Sequence, residues 1–225
     1  MSAETRRDTV TAALLLCGIA YGVAYVVVND VVAAAMYPGY DPLDQAVSEL
    51  SATGAPPQTF LRWMLFVFTP LLTAFGVGVW RAAGPRRALR GVGATLVAFA
   101  VMGVLWLPAP MSAREDIAAG QETGNDLAHL VLAGGTVVLI VLMIGLGAAA
   151  VAGWFRIYSI VTLAIVLAAG AMTSMLSTRL PSGEPTPLLG FYERADIGAW
   201  LLWMAVLAVV LVREPAVERE PVPAP

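Results

Sequence analysis

The stretch WRAAGPRRALR, from Trp80 to Arg90, joins two long apolar runs and carries four arginines, Arg81, Arg86, Arg87 and Arg90, around a Gly84-Pro85 turn. A water-soluble core has no place for such a loop between segments that apolar. A bilayer has one, because short arginine-rich loops stay on the cytoplasmic side when the flanking runs insert as helices. With this hairpin placed inside, the direction of every other apolar run follows by alternation. Composition agrees: 59% of residues are hydrophobic and 13% charged, against about 25% charged in an ordinary soluble domain.

The expected architecture is an all-α integral membrane protein, a bundle of six transmembrane helices with both termini cytoplasmic. Residues 1–8 form a cytoplasmic N-terminus, and residues 9–212 a membrane domain with spans at about 9–36, 59–80, 91–110, 126–153, 155–177 and 193–212. The charged, proline-rich segment 213–225 reads as a disordered cytoplasmic tail. Each span exceeds the roughly 17 residues needed to cross the hydrocarbon. The first run is longer than the 7–15 apolar residues of a signal peptide, so it reads as a retained helix. In this topology nine arginines fall inside (Arg6, Arg7, Arg81, Arg86, Arg87, Arg90, Arg156, Arg213 and Arg219) and four outside (Arg62, Arg114, Arg179 and Arg194). That asymmetry satisfies the positive-inside rule.

All basic residues are arginine, and Ala, Val, Gly and Pro are abundant, which suggests a GC-rich, bacterial coding sequence and a place in the plasma membrane. No basic patch suggests nucleic acid as a partner. Cys17 is the only cysteine, so no intrachain disulfide forms.

Within the first outer loop, Asp41-Pro42 reads as a helix start, and Leu43, Ala46, Val47 and Leu50 recur at helical spacing. The expectation is a short amphipathic helix, with Asp44, Gln45, Ser48 and Glu49 on its polar side. Pro70 interrupts the second span. Gly18 and Gly22 form a small-residue pair on the first, and Gly134, Gly135, Gly145 and Gly147 mark the fourth as a central, closely packed helix.

Acidic residues show the opposite bias: five of sixteen fall inside and eleven at the outer ends and loops. Ionisable groups near membrane depth are costly unless paired or facing a cavity, which makes them candidates for function. Asn29 and Asp30 come from span one, Ser48 and Glu49 from the loop, and Arg62 from span two. Asp126 and His129 share a face of span four, and Thr173 and Ser177 share one on span five. On span six Glu193, Asp196, Trp200 and Trp203 line one stripe, with Arg194 beside it. Trp203 lies about 15 Å below Glu193. The pattern describes a pocket open to the outer leaflet, polar at its mouth and aromatic below.

The pieces SELSATGAP (48–56), LPAP (107–110), NDLAHL (125–130) and GFYERADIGAW (190–200) resemble the bacterial membrane family called domain of unknown function 998. The resemblance covers nearly the whole chain and implies six spans, with marked polar positions at Ser48, Glu49, His129, Glu193 and Arg194. It implies no established reaction.

Three functions fit these residues. In the first, the outer pocket binds a membrane lipid or an isoprenoid-like amphiphile through Ser48, Glu49, Arg62, Arg194, Asp196 and Trp200, the guanidinium groups gripping an anionic headgroup. In the second, an intramembrane enzyme, a lipid hydrolase or isoprenoid cyclase, uses His129, Asp126 and Glu193, with Asp196, as acids and bases. A transporter is the third, disfavoured by the lack of an internal repeat. The bland alternative is structural: Glu193–Arg194 and Glu49–Arg62 as ion pairs pinning the helix ends. One histidine and one distant cysteine do not make a zinc site, and no motif calls for a cofactor. Oligomeric state is not legible. Reporter fusions within residues 81–90 should read as cytoplasmic, and an external reading would invert the map.

Overall fold

The computed structural model describes residues 3–214, with side chains from Thr9 onward. The tail from residue 215, Arg219 included, lies outside the described residues, as do the side chains of Arg6 and Arg7. Among the described residues the fold is all-helical, with six helices long and apolar enough to cross a membrane. They are α1 (Ala3–Val26, continued through Val27–Ala33 to Met36), α2 (Gln58–Ala82), α3 (Arg87–Leu105), α4 (Gly124–Ala150), α5 (Trp154–Ser177) and α6 (Leu189–Arg213).

Short connections make consecutive helices antiparallel neighbours. Each packs on the next, and α6 returns to pack on α1, so the six close a ring in sequence order. One end of the ring carries the arginine hairpin and the turn at 151–153. The other, the loop end, carries the segments 37–57, 106–123 and 178–188. Large side chains fill the middle. Trp203 and Phe75 are fully buried, and the Trp200 ring packs at a tilt on Phe99 of α3, 4.7 Å between ring centroids. The Trp203 indole donates to Ser159 Oγ of α5 at 2.9 Å. At the hairpin end Arg86 grips Glu214 through two nitrogens, at 3.0 and 2.7 Å.

Close approach is concentrated where glycines face each other. A Cβ on Gly93 would come within 2.7 Å of the Gly76 carbonyl oxygen, and one on Gly76 within 2.9 Å of the Gly93 carbonyl, so α2 and α3 touch backbone to backbone. A Cβ on Gly78 would meet Leu14 of α1 at 2.9 Å. The glycines of α4 correct the expectation of a central helix. Gly134 and Gly145 face open space, and only Gly135, against Met102, and Gly147, against Trp203, meet a neighbour. The most enclosed span is α6.

Two local features depart from the sequence reading. Residues Val27–Ala33 form a π-helix at the loop end of α1, an arrangement that recurs at functional sites. It turns Asn29 inward, where its amide donates to the Tyr25 carbonyl at 2.9 Å. The amphipathic helix expected from Asp41 shrinks to a single 3₁₀ segment, Val47–Ser51, and Leu43 is 54% exposed instead of buried. The cause is competition for backbone groups. Arg194 takes the carbonyls of Pro42 and Gln45, Tyr40 takes those of Gln45 and Ala46, and the Ala46 N–H donates to Glu49. An α-helix would need those same groups.

Gly93→Val should cost about 1–3 kcal/mol by overpacking, read as a lower melting temperature in detergent. Gly145→Ala should leave it unchanged.

Candidate functional site

The loop end is fastened by two guanidinium groups. The first belongs to Arg114, at the start of the short helix Arg114–Ala118 in the second loop. Its Nε and Nη2 donate to the two carboxylate oxygens of Glu49 at 2.9 and 2.7 Å, a bidentate fork. Nη1 donates to Thr186 Oγ1 at 2.7 Å, and Nη2 also reaches the Asp44 carbonyl at 3.2 Å. Thr186 in turn donates to that carbonyl at 2.9 Å. All three loops are thereby joined at one side chain. Glu49 is only 3% exposed, and it also accepts from the Ala46 N–H and the Gln45 amide. The bonds to Glu49 raise the pKa of Arg114 above its ordinary value, holding it charged.

The second group is Arg194, on the second turn of α6. Its Nε donates to Asp30 of the π-helix at 2.8 Å, Nη1 to the Pro42 carbonyl at 2.8 Å, and Nη2 to the Tyr40 hydroxyl at 2.7 Å. Tyr40 passes the chain on to the Ala46 carbonyl at 2.8 Å. Burial pushes the Tyr40 hydroxyl up to about 12, against the pull of the hydrogen bond from Arg194. A Cβ on Gly190 would overlap the Gln45 and Pro42 carbonyls, so a glycine is required where the loop crosses α6. Beside it Glu193 accepts the Val47 N–H, which ties the 3₁₀ segment to the same helix.

Both expected ion pairs are therefore re-partnered. Glu49 pairs with Arg114 and not with Arg62, which is exposed at the start of α2. Arg194 pairs with Asp30 and not with Glu193. Adjacent helix positions point about 100° apart, so a Glu193–Arg194 contact along α6 was geometrically poor. Arg114 was visible in the sequence only as one of four outer arginines. Its pairing spans 65 residues, and no local pattern announces it.

The remaining candidates do not converge on one cavity. Asp126 opens α4 as a cap and staple: its oxygens accept from Ser112 N and Oγ at 2.6 and 2.7 Å, and from Thr123 N and Oγ1 at 2.7 and 3.1 Å. His129 sets Nδ1 3.1 Å from the Ala109 carbonyl and packs edge-on against Trp106 at 4.6 Å. A carbonyl only accepts, so Nδ1 carries the proton and Nε2 of the neutral ring is an acceptor. No hydrogen bond joins His129 to Asp126, Glu193 or Ser48, whose backbone carbonyl accepts from Ser51. Asp196 and Trp200 lie deeper along α6, facing inward.

Next to His129 the surface opens into a groove of about 540 Å³ between the end of α3 and the start of α4. It is lined by Leu105, Pro108, Ala109, Leu127, Ala128 and Val131, among others, and is almost wholly apolar. Among the described residues no three His, Cys, Asp or Glu side chains cluster as metal ligands would.

Residues 6–210 match the model of the family described as Protein of unknown function (DUF998), and the chain belongs to that family. No curated protein and no solved structure matches it.

Arg114→Ala would strand Glu49 as an uncompensated buried charge, at about 3–5 kcal/mol. Thermal unfolding should show this loss and find Arg62→Ala nearly silent. Tyr40 is neutral in the folded and unfolded chain below pH 10. Between about pH 10 and 12 only the unfolded chain ionises, so stability falls as pH rises through that window. Melting curves of Tyr40→Phe should show a shallower alkaline fall than wild type.

Proposed function

We propose that this member of the DUF998 family is a lipid-binding protein of the bacterial cell envelope, seating one acyl or isoprenoid chain in the groove between α3 and α4. The single observation behind this reading is the groove itself. It is a shallow, open apolar depression of about 540 Å³ in the flank of two helices long and apolar enough to span a membrane. Leu127 and Val131 on its wall are 67% and 65% exposed, so what covers them in a bilayer is hydrocarbon. A chain lying there would bring its polar end to the loop end of α4, where His129 Nε2 offers an acceptor for a headgroup hydroxyl or ammonium. The arginine asymmetry supports assigning that end to the outer leaflet of the plasma membrane.

Arg194, expected together with Arg62 to grip a headgroup, and Arg114, which the sequence did not single out, are better read as structural. All three nitrogens of each already donate within the protein. Acid–base catalysis by Asp126 and His129 has less support, because Asp126 already accepts four hydrogen bonds and none from the imidazole.

Ala128→Phe would fill the groove from its own wall. Native mass spectrometry of protein purified with co-extracted lipid should show at least a tenfold loss of bound lipid in this variant, worth about 1.4 kcal/mol. Val138→Phe, on an exposed face outside the groove, should match wild type. Equal lipid retention in all three would sink the proposal.

A further inference from the structure

Along the inward stripe of α6 the two ends have partners and the middle does not. At the top Glu193 accepts the Val47 N–H, and at the bottom the Trp203 indole donates to Ser159. Between them the Asp196 carboxyl has no hydrogen-bond partner among the described residues. Trp200 is 2% exposed, and its indole N–H also has none. The two residues are four apart, one turn along the same face, with Cβ atoms about 5–6 Å from each other.

The residues packed against them supply neither partner. Asp196 Oδ2 lies over Gly170 of α5, where a Cβ would come within 3.3 Å of it. The Trp200 ring is held by Phe99 at 4.7 Å and Tyr21 at 6.1 Å, both packing against its ring system. A buried N–H without an acceptor costs about as much as a lost hydrogen bond, and native proteins rarely leave one so. One turn away stands a half-buried carboxyl that also has no hydrogen-bond partner among the described residues, so the two are complementary in chemistry, a donor and an acceptor on one face of α6.

The bridging group must accept from an indole N–H and donate to a carboxyl oxygen. An ammonium has no lone pair to accept with, a carbonyl has no proton to give, and a phosphate would set negative charge against the carboxyl. A hydroxyl does both, and a carboxyl oxygen accepts in either protonation state. We propose that Asp196 and Trp200 form a hydroxyl-binding site inside the bundle, occupied by the alcohol head of a neutral lipid or by a water molecule. The site uses none of the groove residues, so it stands or falls independently of the groove.

The test uses the full chain in phosphatidylglycerol nanodiscs. Ultraviolet resonance Raman difference spectra, wild type minus Trp200→Phe, isolate this indole and report whether its N–H is hydrogen-bonded. A bonded N–H is expected in wild type and in Asp196→Asn, which keeps an acceptor oxygen, and a free one in Asp196→Leu. Should Asp196→Leu not fold, the wild-type spectrum alone still decides, since a free N–H there overturns the proposal. A bonded N–H indifferent to Asp196→Leu overturns it as well. Doping the discs with dioleoylglycerol, or with its 3-O-methyl ether, separates the two sources by native mass spectrometry. An adduct with the alcohol at least about tenfold above the ether identifies a lipid. A bonded N–H without that preference identifies water.

Discussion

Two guanidinium forks hold the loop end of this bundle shut, and most of the irregular structure there follows from them. Arg114 needs Glu49 buried and turned inward, which removes that residue from the polar face of any surface helix. Arg194 needs the Pro42 and Gln45 carbonyls free, which an α-helix would not allow. The loop gives up regular hydrogen bonding to satisfy two charges. The exchange is favourable because an ionised fork in a half-buried site forms stronger bonds than neutral amides do. The π-helical end of α1 belongs to the same arrangement, since it carries the Asp30 that Arg194 holds.

The opposite end is tied more loosely. Arg86 and Glu214 meet in a bidentate contact, but each side chain keeps about a third of its surface in solvent, and pairs of that kind contribute little. There the glycine contact between α2 and α3 does more to fix the geometry than charge does. The molecule thus uses charge where its loops are long and close packing where they are short.

What could be read in the chain beforehand depended on range. Hydropathy is local, so the six spans were legible, with α3 and α6 each beginning four residues earlier than expected. The burial of Trp203 followed from its depth along α6, and the crowding of polar residues at one end followed from counting charges. Partners were not legible. Arg62 is the nearer arginine in sequence, whereas Glu49 finds Arg114 across two spans. The glycines of α4 looked like packing sites because sequence spacing cannot say which face a neighbour occupies. The π-helix was not legible, because the polar pair Asn29–Asp30 that sets Val27–Ala33 apart from its flanks does not specify a hydrogen-bond register.

The closure of the ring between its first and last helices sets an order of events during synthesis. Asp30 emerges 164 residues before the arginine that holds it, an interval of about 10–30 s at ordinary ribosomal speeds. By its end five spans have been made without the helix that closes the ring, and until then Asp30 lacks its ion-pair partner. The arrival of the sixth helix is therefore a locking step, and a nascent chain stalled before it would present an incomplete wall to any quality-control machinery patrolling the bilayer.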